Sequence, residues 1–525
     1  MSYTKLNRSA ATLTKNRTEG SVSPFSGMCV TCVDGCIGMC EIGKSAYRGS
    51  EVLYPQPFGI ITAASEKDYP VDLSHFSVLG TAVGAHGVQA DSDHATFEKV
   101  DVEAKIGVNK DIKLKVPFIV PGMGSTNVAK QNWKGLAIGV AISGGILTIG
   151  ENVCAMDEDS VIENGRVLRS PDMESRIRWF QEWAGGYGDV VVQSNVEDTR
   201  LKVQEYVIEK LGVETVELKW GQGAKDIGGE VKIKKLSKAQ ELKRRGYIVL
   251  PDPEDPHVIK AFERGAFKEF ERHSRLGMVE FDSFMARAEE LRAAGAKRVF
   301  LKTGAYRPAD LARAVKYASK AKLDLLTVDG AGGGTGMSPW RMMNEWGVPS
   351  VELWSLTYEY CKKLDEKGEF VPDICFAGGI TFEDQIYKAL ALGAPYVKAI
   401  GMARGPMAAA MVGKTIGKRI SEDQIPVYVE RFGSKKEEIF VTASDLKNEY
   451  GDRFEDIPTG ALGVTGYFTR LNQGLRQLMA GNRKFNLSFI ERDDLATLTK
   501  EAADISGIPY VMDVDKEEVE DILNS

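Results

Sequence analysis

The sequence predicts an α/β protein built on a (β/α)8 TIM barrel, and three observations carry that reading. Short apolar, β-branched runs recur through the middle of the chain, stretches with helical spacing lie between them, and glycine-rich turns follow most of the runs. Near-continuous apolarity, rather than alternation, marks strands covered on both faces in a parallel sheet.

The runs fall at 116–122, 145–150, 189–194, 213–219, 298–304, 323–330, 373–379 and 396–401. Between them, 284–294, 309–321 and 381–392 repeat apolar residues at helical spacing. An open doubly wound sheet is the rival arrangement; glycine loops after most strands favour the closed one. The apolar, glycine-rich run 135–150 is shorter than the ~20 residues that cross a bilayer, so it is assigned to the core. The connection between 219 and 298 is much longer than the others and carries Leu250-Pro251-Asp252-Pro253-Glu254-Asp255-Pro256. An insertion over the barrel mouth is expected there, at about 221–297. The chain therefore divides into a cysteine-rich segment (1–50), a connecting extension (51–115), the barrel (116–410) and a carboxyl-terminal helical extension (411–525). Within the last part, 460–485 and 493–505 carry helical patterns, and the acidic end, 513–525, is expected as a solvated helix.

With 525 residues, 43% hydrophobic and 27% charged, the composition is that of a large soluble enzyme. A net charge of −7 argues against nucleic acid as a partner. No charged segment followed by an apolar run opens the chain, so neither secretion nor a membrane is expected, and a cytoplasmic homo- or hetero-oligomer is.

In a parallel barrel, chemistry gathers at the carboxyl ends of the strands. There the sequence places Gly122-Met123-Gly124-Ser125, Gly150-Glu151-Asn152, Gln193-Ser194-Asn195 and Lys219-Trp220-Gly221-Gln222-Gly223-Ala224-Lys225. Lys302-Thr303 and the loop Asp329-Gly330-Ala331-Gly332-Gly333-Gly334-Thr335-Gly336 follow. Two lysines and a glutamine among glycines suit an anionic ligand. A glycine loop lets backbone amides approach a flat or phosphorylated cofactor. Ala377-Gly378-Gly379-Ile380 and Gly401-Met402-Ala403-Arg404 end the last two strands, the recurring phosphate position of barrels.

In this order, the motifs resemble the FMN-binding synthase domain of the glutamate synthase large subunit, in its stand-alone archaeal-type form. The resemblance implies FMN lying against Gly122, Met123 and Ser125, with Gln193 at its pyrimidine edge and Lys302 beside the region that becomes anionic on reduction. It further implies Gly333 and Gly334 against the cofactor, and phosphate at Gly378, Gly379, Gly401, Met402 and Arg404. Lys219, Gln222 and Lys225 would grip a 2-oxo or imino dicarboxylate, and Glu151 would give a proton. Lys302 and Glu151 are thus the expected catalytic residues. The chain departs from the family in having Asp226-Ile227 after its lysine motif and Ala331-Gly332 in its glycine loop. It also lacks the family's cysteines after the last phosphate loop, at 405–411, and no glutaminase domain is visible in it.

Four of the seven cysteines, Cys29, Cys32, Cys36 and Cys40, are packed into one short run. Zinc normally takes two ligand pairs separated by a longer loop, whereas four closely set thiolates suit an iron–sulfur cluster, [4Fe–4S] in type. Cys154, Cys361 and Cys375 read as core thiols. The five histidines, His75, His86, His94, His257 and His273, show no ligand spacing. The expectation is an FMN-dependent oxidoreductase acting on CH–NH2 donors in glutamate biosynthesis, reducing 2-iminoglutarate formed from 2-oxoglutarate and ammonia. Electrons would come through the cluster from a ferredoxin-like or NAD(P)H-dependent donor protein, and nitrogen from free ammonia or a separate glutaminase subunit. An N-methylglutamate synthase-like subunit, another flavin dehydrogenase and an electron-transfer subunit of a larger complex are the alternatives.

Overall fold

Eight parallel strands close on themselves in a computed structural model that describes residues 69–223, 230–333 and 339–525, with 34, 41–48 and 67 besides. The strands are β1 (Phe118–Met123), β2 (Ile146–Ile149), β3 (Asp189–Ser194), β4 (Thr215–Lys219), β5 (Arg298–Thr303), β6 (Leu325–Asp329), β7 (Asp373–Ala377) and β8 (Val397–Gly401). Each pairs with the next, and β8 pairs with β1, so the sheet has no edge and the open arrangement is excluded. The helices that follow them are α1 (Asn127–Ser143), α2 (Pro171–Gln181), α3 (Val203–Leu211), α4 (Phe281–Ala293), α5 (Pro308–Lys320), α6 (Ser350–Asp365), α7 (Glu383–Leu392) and α8 (Arg404–Ser421). Local chemistry sets their ends. Thr126 accepts from the Ala129 amide to start α1, and Gly144, at φ +69, ends it. Ser170 caps α2 ahead of Pro171 and two acidic residues in the first turn.

Strand alternation sorts the side chains. On β5, Val299 and Leu301 join the core between sheet and helices, while Phe300 joins a separate interior cluster with Ile119, Ile146, Val191, Leu325, Cys375 and Ala399. That cluster also contains Ile106, Ile112 and Leu114, from an antiparallel hairpin of Ala104–Ile106 with Ile112–Leu114. The hairpin stoppers the amino-terminal end of the barrel. Its turn is fixed by first residues of strands: the Gly107 amide donates to Asp373 Oδ2 at 2.9 Å, and Lys110 Nζ pairs with Asp373 at 2.5 Å. Arg298 Nη1 meets Asp111 at 2.5 Å, and its Nη2 meets Asp189 at 3.1 Å. Only the carboxyl ends of the strands are left to form a mouth.

The long stretch after β4 holds a three-stranded antiparallel sheet, ordered Glu230–Ile233, Phe270–His273, Ile248–Leu250, with helices Leu236–Arg244 and Pro256–Glu263. By Phe281 the chain is back in the barrel as α4. At the carboxyl-terminal side, α9 (Thr459–Gly481) packs on α1 and α8 through small residues. A Cβ on Gly139 would stand 2.6 Å from Val464, and one on Gly463 would stand 2.3 Å from the Ala409 carbonyl oxygen. Residues 493–505 do not form the single helix expected of them. They divide into strand Leu495–Thr497, which pairs with Phe76–Val78, and helix Lys500–Ser506, capped by Thr499. The terminal helix Lys516–Asn524 buries no residue. Among the described residues, no helix is long and apolar enough to cross a membrane.

The stopper generates a test. Leu114→Ala removes a fully buried side chain from the barrel interior and should lower the unfolding free energy by about 2–5 kcal/mol. Urea unfolding followed by fluorescence reads this; a loss below about 1 kcal/mol would mean the hairpin is not part of the cooperative core.

Candidate functional site

The inward face of the upper barrel is an interlocked set of charges. Lys302 stands two residues beyond Phe300 on β5, is 4% exposed, and places Nζ 2.9 Å from Asp329 Oδ2 at the end of β6. Glu217 lies on β4, two residues before Lys219, and accepts a hydrogen bond from Gln193 Nε2 of β3. Lys219 Nζ donates to Glu151 Oε1 at 2.7 Å and to Gln222 Oε1 at 2.9 Å. Two cations thus face three carboxylates in a largely buried layer. Burial would drive Lys302 toward neutrality, but Asp329, Glu217 and Glu151 outweigh it and raise its pKa. Burial likewise opposes ionisation of Glu151, yet Lys219 and then Lys302 hold its carboxyl below the usual range. Glu217 goes the other way, pushed up by burial against Lys302, Gln193 and Lys219.

Behind this layer, Asp198 ties two strand ends together. Its carboxylate accepts from the Asn152 amide at 3.0 Å, and it forms a capping box with Asn195. Burial pushes it up to about 7, with the Glu151 charge adding to the effect. Asn152 sits at φ +66 and its Oδ1 accepts from Tyr247 of the insertion at 2.9 Å. Arg275, also from the insertion, pairs with Glu197 at 3.0 Å. Arg176, fully buried on α2, donates to the Gly124 carbonyl at 3.0 Å and so fixes the loop after β1.

The glycine loops after β6 and β7 are stitched by one hydroxyl. Ser350 Oγ donates to the Gly378 carbonyl at 2.8 Å and reaches that of Ala331 at 3.1 Å. Gly378 and Gly379 adopt φ +122 and +97, and Gly379 is exposed, the Gly332 backbone standing nearest its Cβ position among the described residues, at 3.6 Å. Gly333 lies beside them, a Cβ there meeting Gly378 Cα at 3.3 Å. Gly401 is different. A Cβ there would meet Ala377 at 2.8 Å and Pro121 at 3.2 Å, so its smallness serves strand packing. Met402 is buried, its amide bonded to the Ile119 carbonyl at 2.9 Å, and Arg404 is exposed at the start of α8.

The barrel therefore gathers Gly122, Met123, Ser125, Glu151, Gln193, Lys219, Gln222, Lys302, Gly333, Gly378, Gly379, Gly401, Met402 and Arg404 at its carboxyl-terminal end. Lys225, Gly334 and the cysteines Cys29, Cys32, Cys36 and Cys40 lie outside the described residues. Cys154, Cys361 and Cys375 are free and buried, their thiols pushed up by burial, and no cluster of metal-ligating side chains occurs among the described residues. Sequence reasoning missed Glu217, Asp329 and Asp198 as partners. A signal existed for Glu217, an acidic residue inside an apolar run at the spacing that shares a face with Lys219.

Residues 276–413 match the model of the conserved region in glutamate synthase. Over 198 residues the chain is 29% identical to the glutamate synthase large subunit-like protein YerD of Bacillus subtilis (strain 168), covering 37% of this chain and 33% of that relative. That stretch of the chain is similar to the conserved region of glutamate synthase, and the chain spans about a third of the length of the relative it matches. Among solved structures, a lactate oxidase of Pediococcus acidilactici is 14% identical with a TM-score of 0.43, covering 83% of this chain and 89% of that one. An (S)-mandelate dehydrogenase from Pseudomonas putida is 13% identical (TM-score 0.44; 85% and 97% covered), and a flavocytochrome b2 variant 15% identical (TM-score 0.45; 93% of each). Likeness at that level decides nothing about the chemistry of this chain.

The carboxyls of Glu151 and Asp198 make opposite contributions to stability. Glu151, depressed, stabilises the fold above its unfolded pKa of 4.5, and that contribution is lost as pH falls through the folded value. Asp198 is raised from 3.8 to about 7, so the folded state keeps a proton that the unfolded chain has lost, and stability falls as pH rises from one value to the other. Asp198→Asn should therefore gain stability relative to the parent between pH 5 and pH 7.5, measured as the change in urea midpoint. Parallel pH profiles would refute the assignment.

Proposed function

We propose that the protein is an FMN-dependent oxidoreductase of the glutamate synthase type, which reduces 2-iminoglutarate, formed from 2-oxoglutarate and ammonia, to glutamate. One observation carries the flavin reading: buried polar atoms at the mouth that lack a partner beside a buried cation. Gln193 Oε1 and Glu151 Oε2 are both closed off and without a hydrogen bond among the described residues, and Lys302 lies in the same layer. Such atoms are costly unless a ligand satisfies them. The exposed backbone at Gly379, with Arg404 at the head of an 18-residue helix, offers a fitting place for a phosphate. The residues present fit the group.

FMN bound there would supply two-electron chemistry toward a carbon–nitrogen double bond. The chain's own residues do the rest. Lys302, kept charged by Asp329 and Glu217, sets a fixed positive potential at the mouth. Glu151 is held as a carboxylate and accepts from Lys219 Nζ, so the hydrogen that the pair presents to a substrate is an N–H of Lys219. This reading moves the proton-donor role from Glu151 alone to the pair. Gln222 and Lys225 then orient a substrate carboxylate, since the charge of Lys219 is already matched by Glu151. Cys29, Cys32, Cys36 and Cys40 would hold a [4Fe–4S] cluster, which would supply one-electron chemistry toward a ferredoxin-like or NAD(P)H-dependent donor protein, with nitrogen arriving as ammonia or from a separate glutaminase subunit. The setting is cytoplasmic.

Anaerobic purification tests the cofactors directly. The supernatant of denatured protein should contain FMN, with iron and acid-labile sulfide that vanish together when two of the four cysteines are replaced. FAD, or no flavin after reconstitution, would overturn the flavin reading, and stoichiometric zinc without iron would overturn the cluster.

Two lysines separate substrate binding from flavin chemistry. Lys225→Met loses one charge-assisted contact worth roughly 1.5–3 kcal/mol, and KM for 2-oxoglutarate should rise roughly ten- to a hundredfold with an unchanged flavin spectrum. Lys302→Met should lower the flavin midpoint potential in spectroelectrochemistry and slow the chemical step. Identical phenotypes for the two would contradict the roles assigned.

A further inference from the structure

The chain carries a net charge of −7, yet α1 and α8 hold no acidic residue between them. Lys414 Nζ of α8 donates to the Gln131 carbonyl of α1 at 2.7 Å. That bond sets two rows side by side, Val128, Gln131 and Lys134 on one helix and Met411, Lys414 and Lys418 on the other. Val128 and Met411 are each 42% exposed and Val412 is 61% exposed, so an apolar strip lies open among cations. The helix Lys516–Asn524 is the complement of this face. Its Val519, Ile522 and Leu523 are exposed and share one side at helical spacing, and Glu518 and Glu520 flank them, one on each edge. Lys516 pairs with Asp513 at 2.6 Å, and no cation among the described residues pairs with the carboxylates of the helix itself. Within one chain the two surfaces are held apart. Tyr510 bridges to Thr497, and the helix Lys500–Ser506 packs on α6. Two residues, spanning about 7 Å, join the turn Val511–Asp513 to the last helix. From α6 to α8 is two helices round the barrel, roughly 20 Å at ordinary helix spacing.

We propose that the α1–α8 face receives the carboxyl-terminal helix of a second copy of this chain. Val519, Ile522 and Leu523 of one copy cover Val128, Met411 and Val412 of the other, and Glu518 and Glu520 meet Lys134 and Lys418. The apolar strips supply the burial, while the opposed charges fix orientation and exclude the reversed one. Each copy has one helix to give and one face to receive it, so the contact joins unlike surfaces of like chains.

Sedimentation velocity of the full chain tests the contact, and none of its outcomes bears on the flavin reading. The parent should sediment as an oligomer at micromolar concentration. Lys134→Glu with Lys418→Glu, and separately Glu518→Lys with Glu520→Lys, should each give a monomer; all four positions are exposed. An equimolar mixture of the two variants should assemble again, because each then offers the other a matched helix and a matched face. A monomeric parent overturns the proposal, and if that parent also pellets with vesicles of anionic lipid, the basic face belongs to a membrane surface instead. Variants that assemble like the parent place the interface elsewhere. A mixture that stays monomeric shows that the two surfaces do not meet. Either result overturns the proposal. Should a charge-reversed variant fail to fold, Ile522→Ser leaves every charge in place and should shift the equilibrium toward monomer; an unmoved equilibrium overturns the proposal as well.

Discussion

A buried ammonium that cannot leave is the constraint on which the mouth of this barrel depends. Lys302 emerges from a strand whose other inward residues are packed, so its four-carbon stem delivers Nζ into a dry space. An isolated charge there would be prohibitive, and its presence obliges Asp329 and Glu217 to face it. Those carboxylates in turn recruit others. Glu217 fixes the Gln193 amide, and Glu151, sharing the same field, needs Lys219. Each strand end is thus placed by the charge requirement of its neighbour, and five of the eight strands or their end loops contribute to one electrostatic unit.

The opposite end is built on the same logic with a different purpose. Arg298 begins β5 four residues before Lys302 and is surrounded by Asp111, Asp189 and Glu214. Its partners belong to a hairpin and to strand beginnings, and each is already paired with that one guanidinium. Between the two charged layers lies the apolar cluster of Phe300 and its neighbours. The barrel is a dry spacer with one sealed polar end and one polar end that awaits a ligand, a division that directs binding to one face.

Much of this was legible because parallel strands covered on both sides read as unbroken apolar runs, in which Lys219 and Lys302 stand out. The partners of those lysines were not legible. Asp329 was visible only as the start of a glycine loop, and Asp198 only as one acidic residue of a short helical turn. What joins them is the closure of the sheet, which brings residues together from strands more than a hundred positions apart. Residues 493–505 illustrate the reverse error. Leu495–Thr497 is too short to show alternation, and its strand character comes from Phe76–Val78, far away in the chain. The insertion was visible as length and prolines, while its grip on the barrel through Tyr247 and Arg275 depends on contacts that no local pattern encodes.

The glycine seams of α9 give the carboxyl-terminal region a mechanical reach. At Gly135 the backbone of α1 meets the α9 backbone at Gly460, at Gly139 it meets the Val464 side chain, and α1 begins at Asn127, immediately after the Thr126 cap. A rigid rod so seated transmits any displacement along its axis to its first turn. The loop bearing Met123 and Ser125 hangs from that turn. The far helix is accordingly seated against the same rod that carries the loop of Met123 and Ser125, and the seam has no room for an added methyl group unless one of the two helices shifts.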